Sequence, residues 1–158
     1  MTQPRGFTLL IAIILSSVIL AVGLALLDIT FKQAVLASAA KQSQIAFYAA
    51  DSALECALYW DQKHNFFTAD PTQRDANLTQ ADVLCGGLPV TFDGAPRRGT
   101  DQITDFNIPC AGGTGIQASV RVYKNFPQGQ KNRIYTEGYN SCNDSDPRRI
   151  ERGLKAQY

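Results

Sequence analysis

From Phe7 to Leu27 the chain runs through 21 consecutive positions without a charge, most of them Leu, Ile, Val or Ala. A helix of roughly 20 apolar residues, rising about 1.5 Å per residue, crosses the hydrocarbon core of a bilayer, whereas the helices buried in soluble cores are usually shorter. The pattern predicts a membrane-spanning helix over 7–27. A secretory signal also starts basic and turns apolar, but its apolar core is shorter and a small-residue cleavage site follows it. Here Leu27 continues into Asp28-Ile29-Thr30-Phe31-Lys32 with no glycine or proline break, so the segment is expected to stay attached. Arg5, ahead of the span, assigns that end to the cytoplasm by the positive-inside tendency, with the rest of the chain outside.

The helical period does not stop at the membrane. Val35, Leu36, Ala39, Ala46, Phe47, Ala50, Ala53, Leu54, Ala57 and Leu58 fall on one apolar stripe, and Lys41, Gln44, Asp51 and Glu55 fall off it. One helix is expected from Phe7 to about Trp60, a rod about 80 Å long and far more than a bilayer requires. Alanines at 46, 50, 53 and 57 let another backbone come close, while Phe47, Leu54 and Leu58 offer bulk for a sheet to cover. Ala46, Phe47, Ala50, Ala53, Leu54 and Leu58 are therefore the expected packing face of the outer half. The same residues also suit the core helix of a globular domain, and the two readings coexist if a head packs on the far end of the rod.

Downstream the period changes. Between Asp61 and Pro109 turn chemistry dominates, at Asp70-Pro71, Asn77, Gly86-Gly87, Asp93-Gly94-Ala95-Pro96 and Arg97-Arg98-Gly99, leaving room only for short strands such as Pro89–Phe92. Ile116–Tyr123 alternates, with Ile116, Ala118, Val120 and Val122 on one side, and reads as a strand. Arg133–Tyr139 and Arg149–Tyr158 follow at hairpin-like separations, predicting a three-stranded antiparallel meander. The expected class is α+β: a leader at 1–6, a transmembrane part at 7–27, an outer helix at 28–60 and a globular head at 61–158 on a small antiparallel sheet.

Composition adds restrictions. The formal charge is +1, and without Arg5 the remaining 14 Lys and Arg balance 14 Asp and Glu, which gives no sign of a nucleic-acid partner. Cys56, Cys85, Cys110 and Cys142 are spaced by 29, 25 and 32 residues, with no Cys-x-x-Cys and a single histidine in the chain, so a zinc site has little support. An even count in a small domain outside the membrane suits two disulfides, against the alternative of buried free thiols. Three connectivities are open; Cys85 with Cys110 and Cys56 with Cys142 is the preferred one, closing a loop and tying the helix to the C-terminal region.

The Gly6-Phe7-Thr8-Leu9-Leu10 junction, behind a short basic leader, resembles the class III signal of type IV pilins and type II secretion pseudopilins. Ala46-Phe47-Tyr48-Ala49-Ala50-Asp51-Ser52-Ala53-Leu54 is similar to the alanine-rich helix of minor pilins, and Arg148-Arg149-Ile150-Glu151-Arg152-Gly153-Leu154 to their last hairpin. The resemblance implies a pilin-like fold and a prepilin peptidase that cuts between Gly6 and Phe7 and methylates the Phe7 amino group. It also implies an inner-membrane assembly platform that lifts the subunit from the lipid bilayer into a filament of other pilin subunits. Phe7, Leu10, Ile11, Ile14, Val18, Ala21 and Gly23 would then belong to the assembling helix. Ala12, Ser16, Ser17 and Ala25 are further small residues suited to close helix packing, as they would be in an ordinary anchor.

Two departures from that family matter. Most pilins carry glutamate fifth in the mature chain, where this one has Ile11, so the implied pairing with a neighbour's amino terminus is impossible here. The resemblance is thus closest to minor subunits, including tip or initiation ones, with a secretion pseudopilin or a major pilin lacking the contact as alternatives. The helix-breaking proline near the end of the apolar segment is missing too, leaving Gly23 as its one weak point. Asp28 and Lys32, at i and i+4, are placed to pair at the interface.

Catalytic chemistry has little to work with. His64 stands beside Phe66-Phe67 in an expected loop with no serine or cysteine motif, which reads as a surface histidine and no enzyme. Asn143-Asp144-Ser145-Asp146 with Glu151 offers oxygen ligands but misses the calcium-loop glycine, so a polar turn is expected, with no metal and no cofactor. A membrane-anchored binding protein and an envelope enzyme remain the competing classes.

Overall fold

In the computed structural model the described residues are 5–68, 77–93, 103–112, 114–125 and 129–158. Residues 1–4, part of the expected leader, and the turns expected at Asp70-Pro71 and 94–99 lie outside them. Helix α1 spans Arg5–His64, 60 residues without a break, so it begins two residues before the expected Phe7 start and runs one turn past Trp60. Asn65 then takes φ +46, a left-handed conformation that asparagine tolerates better than most residues. With the chain turned there, the N–H groups of Asn65 and Phe66 reach back to the carbonyls of Asp61 and Trp60, at 3.0 and 3.1 Å, and satisfy acceptors of the last turn.

The chain divides into two units, Met1–Lys41 and Gln42–Tyr158. The described part of the first is helix alone, and every side chain from Phe7 to Lys41 is exposed.

The second unit carries the rest of α1 and two antiparallel sheets. Strands β1 (Leu84–Cys85) and β2 (Leu88–Pro89) form a small hairpin, and Gly86 and Gly87, at φ +60 and +80, make its turn. The larger sheet has the order β3-β4-β5-β6-β7, formed by Thr91–Phe92, Ile103–Pro109, Ile116–Tyr123, Arg133–Tyr139 and Glu151–Gln157. The expected α+β class therefore holds, with a long N-terminal apolar helix whose outer part packs on antiparallel strands. The meander is longer than expected by β4, whose outward positions, Ile103, Asp105, Asn107 and Pro109, do not alternate cleanly in polarity with inward Thr104, Phe106 and Ile108. Across the outer face, Asp105 on β4 holds the Arg121 guanidinium of β5 at 2.7 Å.

Burial on α1 follows the alanine stripe. Ala46, Ala49, Ala50, Ala53, Ala57 and Trp60 are buried, and Leu54 and Leu58 pack at the edge of the core. Phe47, expected on this face, is 44% exposed, because it sits about 100° round the helix from Ala46 and clears the sheet. Opposite the stripe stand Phe106, Ala118, Val120, Val122 and Ile134, and an aromatic group of Trp60, Phe66, Phe67 and Phe92 closes one end around Phe106.

Both disulfides form, with a connectivity that differs from the preferred one. Cys56 joins Cys85 and Cys110 joins Cys142, with Cα atoms 5.7 and 6.2 Å apart. The reason lies in the packing. The Trp60 indole donates to the Leu84 carbonyl at 3.2 Å, which lays β1 beside the helix turn that carries Cys56. Ile108 and Gly138 both flank Ala118 of β5, so Cys110 and Cys142, just past the ends of β4 and β6, emerge at the same end of the sheet.

Candidate functional site

The largest unsatisfied feature is the bare part of α1. Phe7, Leu10, Ile11, Ile14 and Val18, expected in assembly, are all exposed large apolar side chains. Ala21 is exposed with them, and a Cβ placed on Gly23 would meet nothing within 4 Å. The Gly6–Phe7 bond expected to be cut lies in the first turns of the helix.

Polar groups in this stretch are arranged for an apolar surrounding. The hydroxyls of Ser16, Ser17 and Thr30 donate to the carbonyls of Ile13, Ile14 and Leu27 at 3.0, 2.8 and 2.9 Å. Each side chain is thereby satisfied within its own helix, which a hydrocarbon or helix-lined environment demands. The first charges, Asp28 and Lys32, pair at 2.7 Å on successive turns, as their spacing predicts. One helix, with an apolar window of mean hydropathy 2.9, is thus long and apolar enough to cross a membrane.

The apolar surface does not end with that ion pair. Ile29, Phe31, Val35 and Leu36 are exposed as well, Phe31 at 71% and Leu36 at 69%. Ile29 and Phe31 are not part of the expected apolar stripe, although large apolar residues recurring beyond the first charges are a readable signal.

The second unit holds a buried polar constellation that no sequence pattern announces. Asp61, in the last turn of α1 and 1% exposed, receives Lys124 Nζ at 2.8 Å, and the Tyr158 hydroxyl also donates to its Oδ2. Among the described residues its Oδ1 has no hydrogen-bond partner. Burial, followed by the Asp61 hydrogen bond and charge, pushes the Tyr158 phenol well above its ordinary range. These residues are 63 and 97 positions from Asp61, so no local pattern reveals them. The arrangement clamps the helix end to the connection after β5 and to Tyr158.

His64, expected in a loop, is the last helical residue, its ring 4.9 Å from Trp60 and 5.5 Å from Tyr59. A groove of about 500 Å³ between α1 and the β1–β2 hairpin is lined by Ile45, Tyr48, Ser52, Leu88 and Gln117 among others, with no carboxylate, lysine or histidine among the described residues of its wall. The acidic loop is a hydrogen-bonded turn. Asn143 Oδ1 accepts from the Ser145 N–H at 3.0 Å, Asp146 Oδ1 from the Arg148 N–H at 2.9 Å, and Asp144 pairs with Arg149. The Arg148 N–H holds the Asp146 carboxyl below its usual range. Among the described residues no group of three His, Cys, Asp or Glu side chains could hold a metal ion.

Against these features, no family model, no curated protein and no solved structure matches the chain.

Proposed function

We propose that the chain is a structural subunit of a type IV filament, a prepilin that assembles through the apolar half of α1. The observation that carries this reading is the length of the uncovered apolar surface. Exposed apolar side chains run from Phe7 to Leu36, about 45 Å of helix, whereas a bilayer core covers about 30 Å. An anchor needs only the first part. Phe31, Val35 and Leu36 need another cover, and sister helices in a filament core supply one.

Moving such a helix from lipid to a bundle changes its hydrophobic energy little, so close packing decides the outcome. Small residues at Ala12, Ser16, Ala21, Gly23 and Ala25 favour it, and the internally bonded hydroxyls tolerate both surroundings. Prepilin peptidase removes residues 1–6 and methylates Phe7, the span then rests in the inner membrane with its start cytoplasmic, and the platform lifts it into the filament. Ile11 in place of a carboxylate favours a minor or tip subunit, with nothing stacked above it that requires the contact. A secretion pseudopilus would use the same surface.

N-terminal mass analysis of the chain produced with and without a prepilin peptidase tests the reading. A product starting at N-methylated Phe7 only when the peptidase is present supports it; an unprocessed chain starting at Met1 in both cases would favour a plain anchor.

A further inference from the structure

Strand β7 is the last of the five-stranded sheet, and no described strand lies on its outer side. The ladder to β6 fixes which backbone groups face outward. The Asn140 N–H donates to the Ile150 carbonyl and the Tyr158 N–H to the Asn132 carbonyl, each at 3.2 Å. Antiparallel alternation then turns Arg152, Leu154 and Ala156 toward β6 and leaves the N–H and C=O of Glu151, Gly153, Lys155 and Gln157 on the open edge. Side chains divide in the same way. Arg152 Nε donates to Ser43 Oγ of α1 at 2.7 Å, so its set stands on the helix side. Glu151 and Lys155 stand on the opposite face, with the Lys155 ammonium 5.2 Å from the Tyr135 ring centre.

We propose that β7 pairs with β7 of a second copy of this chain, antiparallel and centred on Gly153. In that register Glu151 faces Lys155 of the second copy, Lys155 faces its Glu151, and the two Gly153 residues meet on the two-fold axis. Each opposed pair of outward residues exchanges two backbone hydrogen bonds, about six over the contact. Charge selects the second copy and the register together. Exposed edges usually carry charges that discourage pairing, but here the signs are opposite at two positions symmetric about a glycine. Centring on Leu154 sets Glu151 against Gln157 and loses both ion pairs, centring on Arg152 sets Lys155 against Arg149, and parallel pairing in register sets like against like. Glycine inside a strand weakens it unless another backbone comes close, and at the two-fold it removes the side chains that would crowd. The contact uses the head alone and does not depend on the filament reading.

A zero-length carbodiimide cross-link on the full chain in detergent micelles, mixing isotopically heavy and light protein, tests it. Glu151 and Lys155 of one strand lie about 13 Å apart by strand rise, too far for a direct amide, so a link between them must join two chains. The proposal expects a heavy–light link between the peptides carrying Glu151 and Lys155. It also expects E151K to weaken self-association about tenfold, because like charges then oppose each other twice, and E151K/K155E to restore it. Monomers at all concentrations would overturn it, as would dimers without this link, or an E151K chain that associates like the unsubstituted one.

Discussion

Gly138 of β6 lies against the backbone of Ala50 on α1. A Cβ at 138 would stand 2.9 Å from the Ala49 carbonyl carbon and closer still to the Ala50 nitrogen and the Ala46 carbonyl oxygen. Small residues on both sides thus let sheet and helix touch main chain to main chain. The neighbours are helix backbone and cannot swing away, so Gly138→Ala is expected to cost about 3 kcal/mol, at the upper end of overpacking. Gly153→Ala, whose nearest neighbour is the Thr136 carbonyl at 3.6 Å, should stay within about 0.5 kcal/mol. Urea unfolding of both variants checks the contrast.

The ion pair at the helix end should behave as a buried one. Lys124 is 15% exposed and Asp61 1%, so Lys124→Met strands a carboxylate away from water at a cost of about 3 kcal/mol. Adding Asp61→Asn to Lys124→Met removes the charge and should recover about half of that loss. Denaturant midpoints of the single and double variants give the comparison.

Tyr158 predicts sensitivity to alkali. Its folded-state phenol is held above the ordinary value of 10.0 by burial and by Asp61. Below pH 10 both states keep the proton and the contribution is fully present. As pH rises further the unfolded chain releases the proton while the folded chain holds it, so stability falls with pH. Tyr158→Phe should flatten that decline above pH 10 relative to the unsubstituted protein, read from unfolding curves across the alkaline range.

Disulfide mapping by peptide mass should return Cys56–Cys85 and Cys110–Cys142. The closed loops span 29 and 32 residues, so loop-closure entropy assigns the two bridges similar weight, about 3–4 kcal/mol each. Replacing either pair by alanine should lower stability by a comparable amount, measured against the oxidised parent.

What could be read in the sequence was what repeats along it. The helix announces itself because apolar positions recur at its period from Phe7 to Leu58, and its observed ends, Arg5 and His64, differ from expectation by a few residues. Strands β5, β6 and β7 alternate or sit at hairpin distance. Where non-local packing decides, the pattern is silent. The cysteine partners follow from how β1 lies against the Trp60 turn and from which strand ends share one edge. Strand β4 owes its place to pairing with β5 along its whole length, from Ile103 opposite Tyr123 to Pro109 opposite Ile116. Phe47 lies on the margin of the stripe, where a small difference in helix rotation separates contact from solvent.

In the proposed filament, helices of other subunits cover the apolar surface of α1 past the bilayer. A photo-activatable cross-linking residue in place of Leu36 reports that cover directly, compared between membranes and sheared filaments. The expected result is adducts in filaments to the N-terminal helix of a neighbouring subunit, and few or none before assembly. Absence of the chain from the filaments, or adducts to lipid and water alone within them, would contradict it.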